Sequence, residues 1–121
     1  MSLQPLVWQP APDRVIPLWD VAMQSPGDRP PAPLPLRWPD MAAGSILDFG
    51  LDCTALLAGG DLITAATVNP GALQLIASQP QGGIVYAWLT GGMVGIDYPV
   101  TITVDTAAGR HVARVVRVRA V

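Results

Sequence analysis

Ten of the thirteen prolines in this 121-residue chain fall between Pro5 and Pro39. Proline fixes φ, lacks an N–H and clashes with the preceding helical turn, so this first third can form neither a helix of useful length nor a central strand. The run Arg29-Pro-Pro-Ala-Pro-Leu-Pro-Leu-Arg37 reads as extended chain, in part polyproline II. A disordered tail is poor in large apolar groups. This stretch instead carries Trp8, Trp19 and Trp38, three of the four tryptophans, together with Leu3, Leu6, Val7, Val15, Ile16, Leu18, Val21, Leu34 and Leu36. Two readings follow for residues 1–44. In the plainer one the arm wraps its own domain and fills gaps in it. In the other, the tryptophans anchor the chain to another subunit, since aromatics and arginine dominate interfaces.

Residues 45–121 are written differently. Val100, Ile102 and Val104 alternate with Thr101, Thr103 and Asp105, which predicts a strand with one buried and one wet face. Tyr98 stands at the start of that strand, after the crossing Gly91-Gly92-Met93-Val94-Gly95. This is the local pattern of a tyrosine corner, whose hydroxyl bonds to upstream backbone in Greek-key sandwiches. Thr106-Ala107-Ala108-Gly109 reads as a hairpin turn with glycine at a positive φ. The final strand alternates Val116, Val118 and Ala120 against Arg117, Arg119 and Val121. Ala113 and Val115 fall on the arginine side of that register, and a β-bulge near Arg114 to Val116 would restore them to the buried set.

Earlier runs complete the sheet. Ser45 to Leu51, with Ile46, Leu47 and Phe49, reads as a strand. Asp52 to Gly59 reads as one helical turn. Leu62 to Val68 is a β-branched run, Asn69-Pro70-Gly71 is a turn, and Leu73, Leu75 and Ala77 alternate with Gln74, Ile76 and Ser78. Pro80-Gln81-Gly82-Gly83 turns into the Ile84 strand. Six or seven short strands preceded by an extended Pro/Trp-rich arm make an all-β, Ig-like antiparallel β-sandwich. Phe49, Trp88, Tyr98, Gly91, Gly92 and Gly109 are its expected structural positions. A unit of residues 45–121 is small for one hydrophobic core, so the arm or an oligomeric neighbour is expected to add burial.

Composition narrows function. Every positive charge is Arg and every negative charge Asp, for a formal net charge of −2, which gives no global reason to expect nucleic acid or an acidic membrane. Four of the seven arginines, Arg110, Arg114, Arg117 and Arg119, cluster near the end. They suit a charged edge that resists aggregation, or a rim that meets an acidic partner. Cys53, the single cysteine, permits no internal disulfide. With His111 the only histidine, ordinary zinc ligation is not expected. A Cys53–His111 nucleophilic pair is open on residue types alone, against a buried, inert thiol. Asp48, Asp52 and Asp61 lack the dense carboxylates of a calcium loop and suit turns and caps. No cofactor, metal or catalytic group is expected. Tyr86 and Trp88 share one face of their strand; core packing is the simpler role, and a sugar-stacking surface with Trp38 is the alternative.

The residues also resemble a family. Ile46-Leu-Asp-Phe-Gly-Leu-Asp-Cys-Thr-Ala-Leu-Leu-Ala-Gly-Gly-Asp-Leu-Ile63, then Trp88-Leu-Thr-Gly-Gly-Met-Val-Gly-Ile-Asp-Tyr98 and Thr106-Ala-Ala-Gly-Arg110, are similar to small tailed-phage and prophage fiber-tail adaptors. Cys53 stands where that family usually has Trp, and the arm before Met41 is outside the pattern. The resemblance implies a non-enzymatic virion protein, made in the bacterial host cytoplasm, that joins a fiber to the tail or baseplate. Its partners would be other tail, baseplate or fiber proteins, with a homo-oligomer possible and neither nucleic acid nor membrane involved. A carbohydrate-binding sandwich is the alternative. The candidate interface residues are Trp8, Trp19, Trp38, Arg114, Arg117 and Arg119.

Overall fold

A computed structural model describes residues 10–18 and 36–121. Among these residues seven strands lie in two sheets: β1 (Val15–Pro17), β2 (Leu47–Asp52), β3 (Ile63–Asn69), β4 (Gln74–Gln81), β5 (Ile84–Thr90), β6 (Asp97–Thr106) and β7 (His111–Arg119). The larger sheet has the order β1-β2-β5-β4 and the smaller β3-β6-β7. Lettered A to G in chain order, these are ABED and CFG, the strand order of a seven-stranded constant-type immunoglobulin sandwich. The first strand departs from an all-antiparallel scheme, since it is three residues long and runs parallel to β2.

The inner faces are set by alternation. In β6, Tyr98, Val100, Ile102, Val104 and Thr106 are buried while the residues between them reach solvent. Across from them Val116, Val118 and Ala120 are fully buried. In the larger sheet the inner face is Phe49 and Leu51 of β2 with Val85, Ala87 and Leu89 of β5.

The corner forms as its residues predict. The Met93 backbone N–H donates to the Tyr98 hydroxyl at 2.6 Å. Gly92 sits at φ +91°, which side-chain-bearing residues rarely adopt, and in a tight place, since a Cβ would lie 3.0 Å from that of Ala120 and 3.4 Å from the Leu73 and Tyr98 side chains. The β6–β7 turn places Gly109 at φ +87° and is closed by Thr106, whose N–H donates to Arg110 O and whose Oγ1 accepts from Arg110 N.

The expected bulge in the last strand is absent. Pairing of β6 with β7 runs without interruption from Asp97↔Arg119 to Asp105↔His111. Ala113 and Val115 therefore stay on the arginine side, exposed, and Arg114 takes the inward-facing position between Val112 and Val116 with a guanidinium N–H on Ala113 O. A single exposed valine costs too little to force a slip. Register shifts occur instead in β3, between Ile63 and Ala65, and in β4, between Leu75 and Ala77.

Candidate interaction surfaces

The described parts of the arm are built into the domain. Pro12 opens a 3-10 turn, Pro12–Arg14, that leads into β1. Arg14 then reaches across to Asp48, with Nε on the backbone oxygen at 2.8 Å and Nη2 on the carboxylate at 3.0 Å. Leu18 donates its N–H to Asp52 O and buries its side chain completely.

Farther on, residues 36–43 run parallel to the end of β7. Trp38, Met41 and Ala43 donate to the carbonyls of Arg117, Arg119 and Val121, and Arg117 and Val121 donate back to Leu36 and Met41. Trp38, one of the three candidate interface tryptophans, is 1% exposed. Its ring lies 5.0 Å from that of Phe49, tilted 32°, and its indole N–H donates to Gly50 O at 2.8 Å. A buried indole needs such a partner, and here the ring is committed to its own core. Trp8 and Trp19 lie outside the described residues.

The three arginines do not form one surface. Arg117 and Arg119 are exposed on the outer face of β7, while Arg114 points to the opposite side. Near them Arg37 makes a two-pronged bond to Asp97, at 3.1 and 3.0 Å. Arg110 binds Asp61 at 2.8 Å and Leu56 O at 3.2 Å. The Asp61 side chain is only 2% exposed, and it also accepts from the backbone N–H groups of Leu62 and Ala108. Hydrogen bonding to Thr106, then to these backbone groups and Arg110, holds its carboxyl below the usual carboxylate range.

Tyr86 and Trp88 face outward, not into the core, because Val85, Ala87 and Leu89 take the inner positions. Tyr86 is nonetheless 4% exposed, and Trp88 is half-buried. Between them and β1, Gly50 leaves the space that Val15, Ile84 and Tyr86 fill; a Cβ there would lie 3.1–3.2 Å from all three side chains. Trp38 lies on the other side of this sheet, so the three aromatics present no common stacking surface.

No catalytic pair forms from Cys53 and His111. Cys53 is fully buried, and burial, then the charge of Asp52, pushes its thiol up to about 11. His111 is exposed and bonds Asp105 through Nδ1. Asp52 caps Thr54 N at 3.0 Å, and Asp48 and Asp61 are engaged as described. Among the described residues no three His, Cys, Asp or Glu side chains group as a metal site.

Two further features carry no alternation signal and escape sequence reasoning. At one pole the β5–β6 turn exposes Met93 and Val94, at 68% and 73%. At the other, Leu57, Leu62, Ile63 and Pro80 with Gln81, Gly82 and Gly83 line an open notch of about 410 Å³.

The described residues thus form a small sandwich of a four-stranded and a three-stranded sheet. A model of the family described as podophage GP4 fiber-tail adaptor protein gp77 matches residues 41–119, and the chain belongs to that family. Comparison with curated proteins gives no match. The family name makes this a phage tail component, and the matched region begins at Met41, after Trp38 and Leu18. Among the described residues no helix is long and apolar enough to cross a membrane.

Proposed function

We infer that this protein links a receptor-binding fiber to the tail or baseplate of a phage or prophage particle through protein contacts, without catalysis. Membership of the fiber-tail adaptor family carries this reading. The structural findings support it: the one thiol is buried, with its pKa raised to about 11, Asp48, Asp52, Asp61, Asp97 and Asp105 serve turns, caps and ion pairs, and apolar side chains stand exposed at the poles. Its partners are the tail, baseplate and fiber proteins of the same particle, and its place is the virion tail.

The carbohydrate-binding alternative loses its ground, because the proposed stacking residues are divided between the core and the outer face of one sheet. Particles produced with the gene deleted test the proposal. The expected result is tails that lack fibers, restored by supplying the protein in trans, with the protein itself detected in purified wild-type virions by mass spectrometry. Fiber-bearing, infectious particles without it would overturn the reading.

A further inference from the structure

We propose that the segment Leu3 to Trp8 docks on the outer face of the larger sheet, across Ile46, Trp88 and Ala77. The inference does not rest on the adaptor reading.

Three strands build this face. Asp48 of β2, Trp88 of β5 and Ala77 of β4 are cross-strand neighbours in one row. They share the outer side, because Phe49, Ala87 and Leu89 take the inner positions. Two residues before Asp48, alternation puts Ile46 on the same side, where it is 60% exposed. Ala77 is exposed as well, and Ile76, in the β4 bulge beside it, is 49% exposed. The charged groups at this row, Asp48 and the Arg14 bound to it, neutralise each other. What remains is an apolar strip across the sheet, and such strips mark contact sites.

The place where the chain enters decides what covers the strip. Residues 10–14 lead into β1 at the β2 edge, and Arg14 Nη2 donates to the Asp48 carboxylate, on the outer face, at 3.0 Å. The described chain begins at Pro10, four residues ahead of Arg14, so the residues before it set out from beside the strip. Six residues of extended chain span up to about 20 Å, whereas the two strand spacings from β2 to β4 come to about 10 Å. Leu3 to Trp8 are therefore long enough to cross it. They also match it in character: residues 1–9 carry no charged side chain and include Leu3, Leu6, Val7 and Trp8. A partner that uses this face has first to displace the segment.

Isoleucine methyl groups report on each surface at once. In full-length protein with isotope-labelled isoleucine methyls, the Trp8 ring is expected to give nuclear Overhauser contacts to Ile46 and Ile76, and none to Ile96 after the β5–β6 turn or Ile63 in the notch. Because Trp88 lies near the same methyls, Trp8→Leu identifies the contacts. Those of Trp8 are expected to vanish and the Ile46 and Ile76 resonances to move, while Ile102 in the core stays in place. Ile46→Asp, at an exposed position, is expected to abolish the Trp8 contacts to Ile76 with an unchanged far-UV spectrum. Trp8 contacts to Ile96 or Ile63, contacts to Ile46 that arise only between labelled and unlabelled copies, or Ile46 and Ile76 resonances indifferent to Trp8→Leu would overturn the proposal.

Discussion

On the flank where β3 and β4 meet, the sheet edges are finished by residues of the strands themselves: Pro80, without an N–H, stands in edge strand β4, and both strands carry a register shift that breaks the ladder. On the opposite flank β2 and β7 are finished by chain that precedes Gly44. β1 adds to β2, residues 36–43 add to β7, and Leu18, Trp38 and Met41 fill the gap between the sheets. The first flank is self-contained. The second is borrowed, and part of what it borrows lies ahead of the family-matched region.

Removing the borrowed chain is expected to cost the most. A chain starting at Met41 loses Leu18, Trp38 and β1, and the expected cost exceeds about 5 kcal/mol, near the whole stability of a small domain. It is expected to show no cooperative thermal transition by circular dichroism. A melting curve like that of the full chain would mean that the flank needs no cover.

Trp38→Ala comes next. It empties the site against Phe49 and leaves Gly50 O without its indole donor, for an expected loss of about 4 kcal/mol in urea denaturation. Tyr98→Phe touches neither flank and removes one hydrogen bond, so about 1 kcal/mol is expected, with the exposed Met93–Val94 turn loosened in hydrogen exchange.

The smallest effect concerns the self-contained flank at acid pH. The Asp61 carboxyl is depressed in the folded state, so its contribution is present above the unfolded value of about 3.9 and is lost as pH falls through the lower folded value. Asp61→Asn is expected to flatten that acid limb of the melting temperature, whereas Trp38→Ala is expected to leave its slope unchanged.

The contrast also separates what the amino-acid order displays from what it conceals. β6 is legible because its apolar and polar residues alternate strictly, and the corner and hairpin because Tyr98 and Gly109 have few other uses. β5 is not. Ile84-Val-Tyr-Ala-Trp-Leu is apolar on both faces, so periodicity cannot say that Val85, Ala87 and Leu89 face the core and Tyr86 and Trp88 do not. Val115 misleads in the other direction, since an exposed valine looks the same as a buried one that has slipped register. The notch and the arm's seat arise from segments distant in sequence, and no local window contains them.

The hydrogen bonds that seat Trp38 beside Arg117 have a kinetic meaning. Nearly the whole sandwich lies between these two residues in sequence, so this pairing has a high contact order and closes late. During synthesis the tryptophan leaves the ribosome long before the strand that receives it. Until Arg117 to Val121 emerge, an apolar ring waits without the strand that seats it, the condition under which nascent chains aggregate or recruit chaperones.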